Sequence, residues 1–159
     1  MRALLPGDYG VVKTNGWVGF LIRLGTISRW NHAFVYVGDG KIIEANPTGV
    51  AVSPVTKYPK VAWNQHESLT DAQRITIVAE ARKAIGKPYS FGTITLLVMR
   101  ILGLKALSRL PLVKKLASKN GYICSELVSE CYTKAGFDLC GKADYLVVPG
   151  DLAERLIYQ

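Results

Sequence analysis

Asn120-Gly121-Tyr122-Ile123-Cys124-Ser125-Glu126-Leu127-Val128 reads as a turn that opens a helix and puts a cysteine in its first turn. From Ile123 the apolar residues Leu127, Val128, Cys131 and Ala135 recur at helical spacing, and Gly136 supplies a stop. The spacing predicts a helix of roughly three and a half turns, at 3.6 residues each. A thiol in the first helical turn faces unsatisfied backbone N–H groups and the positive end of the helix dipole, surroundings that suit a thiolate nucleophile. The same spacing also fits a buried stripe on which Cys124 and Cys131 are small hydrophobes. A catalytic cysteine needs a histidine and an orienting polar group from elsewhere in the chain.

The chain has 159 residues, enough for one domain with one substantial core. We therefore read 1–159 as a single domain. Apolar residues make up 49% and charged ones 20%, a globular composition, and no low-complexity tract or repeat interrupts it. Met1 to Leu5 runs straight into the turn Pro6-Gly7-Asp8, without the apolar core of a secretory signal, so the expected location is cytoplasmic. Three cysteines, an odd number, argue against a disulfide framework, and their spacing matches no zinc pattern. No metal or cofactor is implied. The formal charge of +8 is unevenly placed: Ala81 to Ser125 holds nine of the 20 basic residues and no acid, leaving eleven basic against twelve acidic residues elsewhere. One face is expected to meet something anionic. The RNA-binding pattern of aromatics among basic residues is missing, which makes nucleic acid the weakest partner class.

Tyr9 to Lys13, with Val11 and Val12, reads as a short strand. Asn15 is placed to cap a helix from Gly16 to Leu24. Asn31 to Val37 and Lys41 to Asn46 form a hairpin about Gly38-Asp39-Gly40. A three-residue loop makes partner numbers sum to 78, setting Phe34 opposite Glu44 and His32 opposite Asn46, with His32, Glu44 and Asn46 on one face. A two-residue Asp-Gly loop would move Glu44 to the other face. Gly49 to Ser53 adds a strand, and Pro54 and Pro59 bound a loop. Thr70 to Ile85 is a helix with a capping box at Thr70 and Gln73, and Ile75, Val78, Ala79, Arg82 and Ile85 on one side. Ser90 to Lys119 is apolar but broken by Arg100, Lys105 and Arg109, too short in its uncharged run to span a bilayer. It suits either a buried helical insert or a segment lying on an anionic membrane surface. Pro149-Gly150-Asp151-Leu152 starts a last helix with Asp151 as its cap.

Two histidines are available to Cys124. His66 sits in the polar stretch Asn64-Gln65-His66-Glu67-Ser68 and reads as a solvated loop residue. His32 begins a strand beside a carboxylate that the hairpin brings near. A base on a rigid strand, oriented by Glu44 or Asn46 and facing a helix-borne thiol, is what nucleophilic catalysis requires.

Four segments resemble those of the NlpC-type papain-like cysteine peptidases, in permuted order. That family runs Gly-x-Pro-Tyr, a Cys-Ser helix, Pro-Gly-Asp, then a His strand with a glycine turn and a short strand ending in Ala. Here Pro6-Gly7-Asp8 comes first, then His32 with Gly38-Asp39-Gly40 and Glu44-Ala45, then Gly86-Lys87-Pro88-Tyr89, and finally Cys124-Ser125. With Cys124-Ser125-Glu126-Leu127-Val128 and the late Pro149-Gly150-Asp151-Leu152, the order resembles the permuted papain-like amidases of the YaeF and YiiX type. The resemblance covers most of the chain except an apolar, basic insert at 93–119. It implies an α+β, circularly permuted papain-like fold, a small antiparallel sheet packed against helices. It further implies Cys124 as nucleophile, His32 as general base, Glu44 as the group orienting His32, and Tyr89 as a hydroxyl binding the oxyanion. The chain departs from the pattern at Phe91, where tryptophan is usual, at Gly92, where two glycines are common, and in having Glu as third polar residue. The expected activity is cleavage of a peptide or acyl amide through a thioester. The alternatives are a lipid ester hydrolase or acyltransferase of the same fold, and a non-catalytic module binding a membrane or protein partner.

Overall fold

Asp39 and Gly40 both take positive φ (51° and 65°), the geometry of a two-residue hairpin turn that matches strand twist. The hairpin they close joins β2 (His32–Gly38) to β3 (Lys41–Asn46). Gly38 pairs with Lys41 next to the turn, but a register shift between Tyr36 and Gly38 restores Tyr36 to Ile42, Val35 to Ile43 and Phe34 to Glu44. The expected three-residue loop is thus a two-residue turn, and the expected pairing survives because a bulge supplies the extra residue. Gly38, at φ +93°, is the residue that accommodates it.

The computed structural model describes residues 3–15, 28–64, 69–95, 103 and 121–157. The expected helix from Gly16 to Leu24, His66 and nearly all of the 93–119 insert lie outside them. The described strands form a five-stranded antiparallel sheet in the order β4-β3-β2-β1-β5, with β1 Tyr9–Val12, β4 Gly49–Pro54 and β5 Ala62–Asn64. Alternation gives the sheet two apolar faces. Tyr9, Val11, Ala33, Val35, Val37, Ile43 and Ala45 join the main core with the helices. Val12, Phe34 and Ile42 lie on the other face, under Tyr36, Val55, Tyr58, Val61 and Trp63.

Among the described residues three helices serve the main core: α1 (Asp71–Lys83), α2 (Cys124–Lys134) and α3 (Pro149–Ile157). Both halves of the capping box are present on α1: Gln73 N donates to Thr70 Oγ1 at 3.2 Å and Thr70 N to Gln73 Oε1 at 2.9 Å. Its buried stripe is not the expected one. Ile75 and Ile85 are 70% and 44% exposed, whereas Arg74, Ile77, Ala81 and Ala84 face inward. Arg74 can occupy that row because its guanidinium reaches the buried Asp8 carboxylate at 2.8 Å and the Pro6 carbonyl at 3.2 Å. Pro6-Gly7-Asp8 is therefore clamped to α1, and the Tyr132 hydroxyl donates to the Gly7 carbonyl at 2.6 Å, tying α2 to the same turn. On α3 the carboxylate of Asp151 accepts from Val148 N at 2.7 Å. Asp151 acts from inside the first turn, correcting its expected place as the cap itself. Among the described residues no helix is long and apolar enough to cross a membrane.

Candidate active site

α2 begins at Cys124 because Ile123 is still extended (φ −93°, ψ 162°) and Leu127 N closes the first turn onto the Ile123 carbonyl at 3.0 Å. Leu127, Val128, Cys131 and Tyr132 then carry the helix onto the sheet, each buried Leu or Val contributing about 1.5–3 kcal/mol. Polar ties fix the start of the helix. Ser125 Oγ donates to the Val147 carbonyl at 2.6 Å, Ser129 Oγ to Asp144 Oδ1 at 2.6 Å, and Ile123 N to Glu126 Oε2 at 3.3 Å. Burial, with some contribution from Glu130 and Asp144, raises the Glu126 carboxyl to about 7.

His32 is the first residue of β2, paired with Val12 of β1. Its neighbour Asn31 locks that strand end: Asn31 Oδ1 accepts from Thr14 N at 2.7 Å and Nδ2 donates to the Thr14 carbonyl at 2.9 Å. The Asn31 carbonyl lies 4.0 Å from Cys124 Sγ. His32 shares the sheet face of Phe34, and Cys124 is one of the two groups that raise its imidazole.

Glu44 is fully buried and meets His32 directly, Oε2 lying 2.6 Å from Nε2. This leaves Nδ1 for the sulfur. Asn46, the other candidate orienting group, instead accepts from Thr48 N at 3.0 Å and serves the β3–β4 turn. Glu44 has three further donors: Ser53 Oγ and Lys57 Nζ on Oε1, both at 2.5 Å, and Tyr58 hydroxyl on Oε2 at 2.6 Å. Ser53 was legible in principle, since the β3–β4 register puts it on the Glu44 face diagonal to Glu44. Lys57 and Tyr58 fall in a stretch read only as a proline-bounded loop. Burial alone would raise the Glu44 carboxyl, but hydrogen bonds from His32, Lys57, Ser53 and Tyr58 outweigh it and hold the group well below the usual carboxylate range. Burial alone would lower His32, but Cys124 and Glu44 outweigh it and push the imidazole up to about 9.

Tyr89 reaches the site by threading. Val50 N donates to the Lys87 carbonyl and Gly86 N to the Val50 carbonyl, both at 2.9 Å, which holds 86–87 against β4. On the other side Tyr122 N donates to the Pro88 carbonyl and Ser90 N to the Tyr122 carbonyl, both at 3.0 Å, just ahead of Cys124. Two glycines admit this strand. A Cβ at Gly49, where φ is +116°, would stand 2.9 Å from the Lys87 carbonyl oxygen, and one at Gly121 2.8 Å from that of Pro88. Burial and the neighbouring Cys124 push the Tyr89 phenol far up, so it keeps its proton and can donate. The described residues contain no group of three or more His, Cys, Asp or Glu able to hold a metal.

The ionisable groups at the site set a pH window for stability. His32 titrates higher in the fold than in the unfolded chain, so its contribution is full below pH 6.5 and lost as pH rises through about 9. Glu44 titrates lower, so its contribution is present above pH 4.5 and lost on acidification. Glu126, raised by burial to about 7, costs stability as it ionises between pH 4.5 and 7. The urea midpoint is expected to be highest near pH 4.5 and to fall from there toward pH 9. His32→Ala should flatten the fall between 6.5 and 9, and Glu126→Gln the fall below 7. Parallel wild-type and His32→Ala profiles above 6.5 would count against the coupling.

Fold and site together define an α+β protein with a thiol, an imidazole and a carboxylate gathered where the amino end of a helix meets the end of a sheet strand. No family model matches the chain. The chain is similar to the probable lipoprotein peptidase YaeF of Escherichia coli strain K12, with 26% identity over 176 residues, covering 97% of this chain. It spans 64% of the length of that relative.

Proposed function

We propose that the chain is a cysteine hydrolase of the amidase or peptidase type on a circularly permuted papain-like, NlpC-type fold. The observation that carries the reading is one imidazole placed between a buried carboxylate 2.6 Å away and the thiol at the start of a helix. The order of the segments around it and the similarity to a probable lipoprotein peptidase support the same class.

In this reading His32 takes the Cys124 proton, and the thiolate attacks an amide carbonyl. Negative charge develops on the carbonyl oxygen, to which the Cys124 backbone N–H and the Tyr89 hydroxyl donate in this reading. His32 then protonates the leaving amine as the C–N bond breaks, leaving an acyl thioester on Cys124. Water, deprotonated by His32, attacks the thioester; the acid departs and the thiol returns. Glu44 holds the imidazole and balances its positive charge. A lipid or other ester is the second substrate class. It draws support from the apolar cluster of Ile94, Ile123, Tyr89, Leu146 and Val148 beside the cysteine.

Alkylation by iodoacetamide, small enough for a thiol that is 1% exposed, tests the assignment. Cys131 is pushed far up by burial and by Glu130, and Cys140 to about 11, chiefly by burial. Both should react slowly at pH 7, and peptide mapping should place the first label on Cys124. First labelling of Cys131 or Cys140 would overturn the assignment.

A further inference from the structure

Glu44 accepts two hydrogen bonds on each oxygen, which fills the capacity of an ionised carboxylate. The reaction above uses only the bond to His32. Two of the others come from one short strap across the second face of the sheet, a 3-10 turn Val55–Lys57 followed by Tyr58. The strap is anchored at both ends. Val55 N donates to the Gly40 carbonyl at 2.8 Å, and the Tyr58 ring stacks on Phe34 with centroids 5.1 Å apart and planes 9° apart. Tyr58 also packs against the His32 ring at 5.6 Å, and Lys57 Nζ lies 5.4 Å over the Tyr58 ring. An otherwise solvent-directed lysine, 41% exposed, is thereby brought onto a carboxylate that is fully buried.

We propose that Lys57 is a positioning residue acting on His32 through Glu44: its ammonium shares the carboxylate charge with the imidazole and so sets how firmly His32 holds its proton. The inference rests on His32 being the acid and base of the proposed hydrolase. The groups facing the imidazole are Cys124 from α2, Glu44 from β3 and Tyr58 from the strap, with Lys57 behind Glu44 and Tyr89 beyond Cys124. Among these Lys57 is the one fixed cation. Its charge opposes protonation of His32, and it draws on the carboxylate that stabilises imidazolium. A His32 without that opposition would be a stronger base but a poorer acid toward the leaving amine. Lys57 thus keeps the imidazole able to give back the proton it takes.

The test is a ¹⁵N ring titration of the full chain labelled at histidine, with His66→Gln assigning the two imidazoles. In Lys57→Met and in Lys57→Gln the His32 midpoint should rise by about half to one pH unit, a shift tempered by the partial exposure of Lys57. Lys57→Arg, which keeps the charge, should bring it back to the wild-type midpoint. A His32 midpoint that stays put or falls in folded Lys57→Met and Lys57→Gln overturns the proposal. Because the readout needs no turnover, absence of hydrolytic activity in the wild type would strike the proposed function and leave this result standing.

Discussion

His32→Ala is expected to lower turnover of an amide substrate by about 10²- to 10⁴-fold, the loss typical of a general acid–base group, while His66→Ala stays within about twofold. The asymmetry follows from placement. His32 begins a strand whose end is locked by Asn31 and Thr14, and its ring is held by Glu44 on one nitrogen and faces Cys124. In the proposed reaction the same imidazole must be protonated when the amine leaves, so the wild-type rate should fall as pH rises through about 9. Kinetics of the two variants from pH 5 to 10 would check both points. Equal losses from both histidines would remove His32 from its role.

Arg74→Met is expected to destabilise the chain by about 3–5 kcal/mol, because it leaves the Asp8 carboxylate buried without its guanidinium. Asp8 is wholly inaccessible, and its other oxygen accepts from Leu5 N at 2.9 Å. The pair clamps Pro6-Gly7-Asp8 to α1 at the entrance to β1, which lies beside the central strand β2. Removing both charges together, as in Asp8→Leu with Arg74→Met, should cost less than Arg74→Met alone, since no stranded ion remains. Urea unfolding of the two single variants and the double variant measures this. A loss under about 1 kcal/mol for Arg74→Met would contradict the clamp.

Arg74 also shows why the inward face of α1 was misread from sequence. Periodicity favours Ile75 and Ile85 as the buried row, and nothing local says that a charged residue will find its partner 66 positions away. Once Arg74 turns inward, Ile77, Ala81 and Ala84 follow at helical spacing, and Ile75 and Ile85 are left outside. The hairpin shows the opposite case. The expected loop is one residue too long, and the pairing of Phe34 with Glu44 still holds because the bulge between Tyr36 and Gly38 adds the residue that the turn lacks. β5 escaped notice since Ala62–Asn64 has three residues and follows a loop with two prolines, too short to display a period. The meeting of His32 with Glu44 and the place of Cys124 at a helix start were legible because each residue sits at an element end or in a hairpin whose local signals are strong. Lys57 and Tyr58 reach Glu44 only through the path of the strap, and that path depends on Val55 meeting Gly40 and Tyr58 meeting Phe34.

The central claim is a covalent acyl group on Cys124, and whole-protein mass spectrometry after rapid acid quench from peptide amide, acyl amide and activated ester probes tests it most directly. The expected result is a mass increase equal to the acyl part of a probe. It should map to Cys124, be released by hydroxylamine as a thioester is, and disappear in Cys124→Ala together with turnover. Turnover that persists in Cys124→Ala, or an acyl group mapped to any other residue, would contradict the account.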